Sequence, residues 1–250
     1  MAKKSDIQLV KSDGTRLDGR SPTDLRPLKI TAGVLKQANG SALVEWGRNK
    51  VLAAVYGPRE CFPKMLTNPY RAAINARYLM APFSGNEEHS RSGPNRRSQE
   101  ISKVIQHVFE NLVLTEQFPK TMIDICIEVL QSDGGTRIAA VTAASVALAD
   151  AGIPMRDLAC GVGVGKASGQ LLADLDKGED NFGESDIPTV ISPRTGELLL
   201  YQMDGMLTRE EISRGFDLAT EACMKVHAKQ VEALKKKYDT VLEEAGSNGE

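Results

Sequence analysis

Short runs of alternating apolar and polar residues open the patterned part of this chain. Gly33–Ala38 leads into Asn39-Gly40, a two-residue hairpin signal, and Ser41–Trp46 follows as the return strand. After Gly47-Arg48-Asn49 comes a third predicted strand, Val51–Tyr56, ended by Gly57-Pro58, and Ala72–Met80 is a fourth. Residues 59–70 read as a long loop, and the Ser-, Gly-, Pro- and charge-rich stretch Pro82–Asn95 as a mobile one. The period then changes. Ile101, Val104/Ile105, Val108 and Leu112 recur at helical spacing over Ser98–Leu114. Met122–Leu130 returns to alternation, with Ile123, Ile125, Ile127 and Val129 on one face of a strand. Asp133-Gly134-Gly135-Thr136-Arg137 then opens an Ala-rich helix, Ile138–Ala151, which Gly152-Ile153-Pro154 stops.

The second half repeats this strand-then-helix grammar. Leu158–Gly165, Gln170–Asp174, Thr189–Ile191 and Leu198–Met203 are predicted strands, with Pro193–Gly196 as a turn. Thr208 begins a last helix, with Glu211 three residues on as a capping box, and the helix runs towards Lys237. Strands mixed with helices in both halves predict an α+β fold of two subdomains. We divide the chain into a polar segment 1–15, an N-terminal subdomain 16–153, a C-terminal subdomain 154–240 and a disordered tail 241–250, of which Gly246–Glu250 should fray. At 250 residues the chain is long enough for a sizeable core.

Composition changes this picture little. Aromatic residues make up 5%, so aliphatic side chains should dominate the core. No apolar run approaches the ~20 residues that cross a bilayer, and the start, Met1-Ala2-Lys3-Lys4-Ser5-Asp6, carries no signal-like apolar segment. The expected setting is the cytoplasm, with no membrane contact. Cys61, Cys126, Cys160 and Cys223 lack CxxC spacing, and Cys126 and Cys160, in apolar runs, read as buried thiols. His89, His107 and His227 have no metal-ligand spacing.

Charge adds an asymmetry that the net value of −2 conceals. From Lys64 to Arg97 there are six basic residues (Lys64, Arg71, Arg77, Arg91, Arg96, Arg97) against Glu87 and Glu88. From Asp174 to Asp186 there are six acids (Asp174, Asp176, Glu179, Asp180, Glu184, Asp186) against Lys177. A chain this acidic can grip a polyanion only locally.

Three stretches are candidates for chemistry. In Gln131-Ser132-Asp133-Gly134-Gly135-Thr136-Arg137 two glycines permit a tight turn whose N–H groups converge. A helix start adds partial positive charge, and Thr136 and Arg137 add donors suited to phosphate. A plain helix cap accounts for the same residues equally well. Asn95-Arg96-Arg97-Ser98-Gln99-Glu100-Ile101 places two arginines at a helix entry, where they would clasp an anion or simply be solvated. The acidic stretch either holds a general acid and a divalent cation or is a solvated loop. Gly161-Val162-Gly163-Val164-Gly165-Lys166 is no phosphate loop: Cys160 and Ala167 stand where a Walker motif needs Gly and Ser or Thr. Alternation with Val makes it a close-packed strand.

Together these motifs resemble one family. Gln131–Arg137, followed by Ala140–Gly152 and preceded by Arg97-Ser98-Gln99-Glu100-Ile101, is similar to RNase PH, as are Arg16-Leu17-Asp18-Gly19-Arg20 and Asp150–Met155; the likeness spans about residues 15–235. Within the family, Glu179–Pro188 is most similar to the catalytic ring subunit of exosome-type assemblies. The resemblance implies an RNase PH-like α+β fold of two βαβ-type subdomains related to ribosomal protein S5 domain 2. It implies a reversible, phosphorolytic 3′-to-5′ exoribonuclease that releases nucleoside diphosphates. Arg97, Gly135, Thr136 and Arg137 would hold inorganic phosphate, the co-substrate. Arg96 would hold RNA near its 3′ end, with Lys64 and Arg71 as weaker RNA-steering candidates. Asp180 would act on the leaving oxygen, and Asp186 would support it or help hold a divalent cation such as Mg2+. The implied partners are RNA, a related non-identical subunit in a hexameric ring, and RNA-binding cap subunits. Three other readings stay open at this point. One is an inactive RNA-binding ring subunit, which the retained Arg97, Thr136, Arg137 and Asp180 argue against. Another is a stand-alone RNase PH that trims transfer RNA ends. The third is an RNA-binding module of S5-like fold, which would have no use for an anion site beside a carboxylate.

Overall fold

The structure, a computed structural model, describes residues 9–11, 13–85 and 95–247. The expectations made for the first eight residues, for the stretch 86–94 with His89 and Arg91, and for 248–250 lie outside the described residues. The first half forms a five-stranded sheet from β1 (Leu28–Ala32), β2 (Gly40–Trp46), β3 (Asn49–Glu60), β4 (Ala73–Met80) and β5 (Thr121–Gln131), in the order β1-β2-β3-β5-β4. β4 and β5 run parallel and are joined by α1 (Arg96–Leu112), a βαβ crossover, while the other neighbours are antiparallel. The second half forms a sheet from β6 (Cys160–Ala167), β7 (Gln170–Ala173), β8 (Ser185–Ile191) and β10 (Asp204–Gly205), with β9 (Leu198–Tyr201) on β8. Its pairs are all antiparallel. Helix α3 (Lys177–Phe182) joins β7 to β8.

Between the sheets lies α2 (Thr136–Asp150), which touches β2 and β3 on one side and β6 and β8 on the other. Thirteen of its residues are buried, among them Ala139, Ala140, Ala143, Ala144 and Ala147. A helix enclosed on all sides must be apolar all round, and alanine lets both sheets approach its axis. Gly40 shows how close that approach is: a Cβ there would lie 2.3 Å from the Ala147 carbonyl oxygen.

The register differs from the predicted one near the start. The first strand is Leu28–Ala32, not Gly33–Ala38, and Asn39-Gly40 is no hairpin. Gly33 turns the chain with φ 71°, and 33–39 form a wider connection in which the Asn39 side chain accepts from the Gly57 N–H. The two-residue hairpin is Gly47-Arg48, between paired Trp46 and Asn49, where Gly47 supplies φ 58°. Side-chain bonding and close packing, rather than hairpin geometry, account for Asn39 and Gly40.

Other differences are smaller. β3 runs four residues past Tyr56 across a bulge, and 64–66 make a short 3-10 turn within the expected loop. Asn95 caps α1 by accepting from the Ser98 N–H, so the helix begins at Arg96. Thr208 and Glu211 form the expected reciprocal cap on α4 (Arg209–Ser247), which continues through 241–247 where a disordered tail was expected. Cys160 and Cys223 are buried, but Cys126 is only half-buried because it alternates with Ile125 and Ile127 onto the open face of β5. Gly161 and Gly165 lie in a tightly packed strand, where a Cβ would meet neighbours at 2.9 and 2.2 Å. No helix among the described residues is long and apolar enough to cross a membrane.

Candidate active site

The Gly134-Gly135 turn carries the chain from β5 into α2 with φ 75° and 68°, left-handed values that glycine adopts without strain. Gly135 is the N-cap residue and has no side chain to satisfy the first N–H groups of α2. No acid stands in the first turn of α2, and none in the first turn of α1. By contrast, Glu179 and Asp180 occupy the first turn of α3, and Glu210 and Glu211 that of α4. Helix starts carry partial positive charge and favour acids. Two starts without acids, one carrying Arg96 and Arg97 and the other Arg137, leave that charge for an external anion.

Both starts face one cavity of about 450 Å³, whose lining includes Arg97, Gly134, Gly135, Thr136, Lys177 and Asp180. Buried Thr136 accepts a hydrogen bond from the Tyr78 hydroxyl at 3.0 Å, leaving its own proton free to donate elsewhere. Arg137 donates from Nη1 to the Gln202 amide oxygen and pairs with Glu100 at 3.4 Å. A recess of about 20 Å³ beside the cavity holds Asp186, with Gly135 and Asp180 shared between the two.

Burial and like charge set the state of the carboxylates. Burial raises the Asp180 pKa, Arg97, Arg137 and Arg26 pull it back, and Asp204 adds to the rise. Asp186 is pushed up to about 7, first by burial and then by the negative charge of Asp180, with Asp204 adding again. Asp204 sits directly across the β8–β10 ladder from Asp186. A pair of carboxylates held this way can keep or release a proton near neutrality. Among the described residues no three His, Cys, Asp or Glu side chains are grouped to hold a metal. Asp180 and Asp186 are hard oxygen donors and suit Mg2+, which commonly takes one or two carboxylates and fills its shell with water and substrate phosphates.

The acidic stretch is not a solvated loop. Its members separate by role once folded. Glu179 is buried and paired with Arg16, Asp174 is buried and paired with Arg26 and Arg20, and Asp176 caps α3. Glu184 pairs with Lys166 at 3.3 Å, which leaves Asp180 and Asp186 for the cavity.

Of the predicted site residues, Arg97, Gly135, Thr136 and Asp180 line the cavity, and Asp186 lies in the adjoining recess. Arg137 does not line it but is close enough to lower the pKa of both carboxyls. Arg96 is exposed at the first position of α1. Lys64 and Arg71 are not brought to the cavity. Lys64 pairs with Glu60, and Arg71 precedes β4, whose far end, Met80, is the cavity wall. Nine extended residues place Arg71 roughly 30 Å away. Sequence reasoning missed Lys177, Gln202, Asp204, Arg26 and Asn49. Only Lys177, the lone base in an acidic run, carried a local signal.

Comparison with known proteins follows this geometry. Residues 24–154 match domain 1 of the 3′ exoribonuclease family, RNase PH, and residues 157–222 match domain 2. The chain is 54% identical over 246 residues to the exosome complex component Rrp41 of Thermococcus onnurineus, covering 98% of each chain. It is 52% identical over 232 residues to that of Thermoplasma acidophilum, covering 93% of each. The fold is similar to the crystal structure of rice Rrp46, with TM-score 0.79 and 26% identity, covering 88% of this chain and 100% of that one. It is also similar to a chain of the Archaeoglobus fulgidus exosome solved with RNA bound to the active site, with TM-score 0.76, covering 87% of this chain and 93% of that one. At 23% identity that likeness speaks to fold alone.

Proposed function

Since this chain belongs to the RNase PH family of 3′ exoribonucleases, we propose that it shortens RNA from the 3′ end with inorganic phosphate, not water, as the attacking group. It does so as the catalytic subunit of an exosome-type assembly. The observation that carries this reading is the meeting of two helix starts without acids, Arg97, Thr136 and the Gly134-Gly135 turn at one cavity beside Asp180 and Asp186. A hydrolase would have no use for a second anion site next to the scissile phosphodiester.

Arg97, Thr136 and the N–H groups of the turn hold phosphate with an oxygen aimed at the terminal phosphorus, and Arg137, beside the cavity, adds positive charge. Arg96 neutralises the RNA backbone beside it. As the new P–O bond forms, the bond to the leaving O3′ breaks, and Asp180 supplies the proton that this oxygen takes up. Asp186, raised in pKa by burial and by the charge of Asp180, is the second group beside it able to exchange that proton. In the alternative in which both carboxyls are ionised, Asp180 and Asp186 would hold a divalent cation, which would supply neutralising charge to the phosphoryl group and the leaving oxygen in place of that proton. The products are a chain one nucleotide shorter and a nucleoside diphosphate. The anhydride bond retains much of the energy of the broken diester, so the reaction runs in both directions.

Relatives named exosome complex component support assembly with a related, non-identical subunit in a hexameric ring, joined by RNA-binding caps. An acidic chain with one short basic stretch gains RNA affinity when several such stretches surround one channel. The test is to incubate labelled RNA with the chain, alone and with its partner, with and without phosphate. Diphosphates should appear only with phosphate, and Asp180→Ala should lower turnover by ~10²–10⁴-fold while RNA binding persists. Monophosphates released equally well without phosphate would refute the mechanism.

A further inference from the structure

The phosphate-facing turn is held from behind by a residue that is not part of the cavity lining. Asn49, fully buried at the first position of β3, accepts from the Asp133 N–H at 2.6 Å and donates to the Gly134 carbonyl at 2.6 Å. Arg26 also donates to the Gly134 carbonyl, at 3.4 Å, and holds the peptide between the two that Asn49 bonds, reaching the Asp133 carbonyl at 2.5 Å. Arg26 is itself fixed by Asp174, whose carboxylate also accepts from Trp46 Nε1 at 2.9 Å. In a trans peptide the C=O and the following N–H point in opposite directions. A Gly134 carbonyl drawn towards Asn49 therefore turns the Gly135 N–H the other way. The Asp133 carbonyl, drawn towards Arg26, does the same to the Gly134 N–H. Among the described residues neither N–H donates to a backbone carbonyl. The turn is also packed against the start of α3, since a Cβ on Gly134 would lie 2.6 Å from the Asp176 carbonyl carbon.

We infer that Asn49, seconded by Arg26, is a positioning residue for phosphate: it aims the Gly134 and Gly135 N–H groups into the cavity without touching the ligand. The inference rests on the phosphorolytic reading of that cavity. A glycine pair at left-handed φ is free to rotate its peptides, and no side chain of its own restrains them. Asn49 supplies that restraint through one donor and one acceptor, the two groups a neighbouring strand would offer. Its loss should weaken phosphate in the ground state and transition state alike, which raises KM for phosphate and spares turnover at saturation.

The experiment compares Asn49→Ala and Asn49→Asp with the unaltered chain, each purified with its ring partner. Asn49→Asp keeps the acceptor for the Asp133 N–H and loses the donor to the Gly134 carbonyl. Both variants should raise KM for inorganic phosphate about tenfold, the size of losing one or two hydrogen bonds. KM for RNA and kcat at saturating phosphate should stay within about twofold of the parent. A lowered melting temperature with unchanged KM for phosphate would assign Asn49 to the fold and overturn the inference. So would a parallel rise in both KM values, or loss of folding in both variants. If the unaltered chain degrades RNA without phosphate, the mechanism itself fails, and that result is distinct because it requires no variant.

Discussion

Replacing Arg16 with methionine should unseat the helix that carries Asp180. Arg16 is completely buried. Its guanidinium donates to both Glu179 carboxylate oxygens, to the Ala173 carbonyl at 2.6 Å and to the Asp174 carbonyl at 2.8 Å. Without it Glu179 keeps the Asp176 N–H at 2.9 Å, but the nearest cation becomes Arg20 at 3.9 Å. An uncompensated buried charge of this kind costs about 3–5 kcal/mol. For a chain of this length each kcal/mol lowers the melting temperature by about 2–4 °C, so Arg16→Met should melt about 6–20 °C below the parent. Turnover should fall with it, because Asp180 follows Glu179 in the same helical turn. The second arm is Arg16→Met with Glu179→Leu. Removing both charges leaves no buried ion unpaired, so this variant should recover more than half of the lost stability although the pair is still broken. Thermal unfolding followed by calorimetry reads both values. A single variant melting within 2 °C of the parent, or a double variant less stable than the single one, would refute the argument.

Three further outcomes are expected. Asp186 has its folded pKa raised to about 7 from 3.8, so the native state holds a proton that the unfolded chain has lost between those values. Stability therefore falls as pH rises from about 4 to about 7, and Asp186→Asn should match the parent at pH 4 and exceed it above pH 7 by at most about 4 kcal/mol. Melting curves across that range without divalent cation check it, and a pH-independent difference would count against it. Gly134→Ala should cost at least about 1–3 kcal/mol and abolish phosphate-dependent turnover, since it strains a φ of 75° and meets Asp176 backbone at 2.6 Å. A folded variant with normal KM for phosphate would show the turn is not the anion site. Lys64→Ala with Arg71→Ala should weaken binding of long RNA and flatten its salt dependence, leaving turnover of short oligomers unchanged, because both residues lie far from the cavity. Equal effects on short and long RNA would contradict that placement.

The motifs of the cavity were legible because each is local. The Gly-Gly-Thr-Arg turn and the Arg-Arg helix entry sit at element boundaries that periodicity locates within a few residues, and they remain boundaries in the fold. Asp180 and Asp186 were legible as acids but not as a buried pair. Their neighbours Glu179 and Asp174 look the same in sequence and serve the scaffold instead. Asn49 and Gln202 gave no signal, since a polar residue beside a turn is ordinary until its partner, 85 positions away for Asn49 and 65 for Gln202, is known.

The sequence by itself determined most of the element types, the Ala-rich character of α2 and the Gly-Gly turn at its start. Apolar period and backbone permissiveness act between residues a few positions apart, so neighbours in the chain suffice to express them. Tertiary structure alone decided which of six acids face the cavity. Arg16 reaches Glu179 across 163 positions and Arg26 reaches Asp174 across 148, and those pairs withdraw two carboxylates from chemistry. It also decided that Asn39-Gly40 serves packing, because the Gly40 contact is with the far end of α2. Burial and charge pairing depend on what the fold brings within a few ångströms, and chain order does not encode that distance.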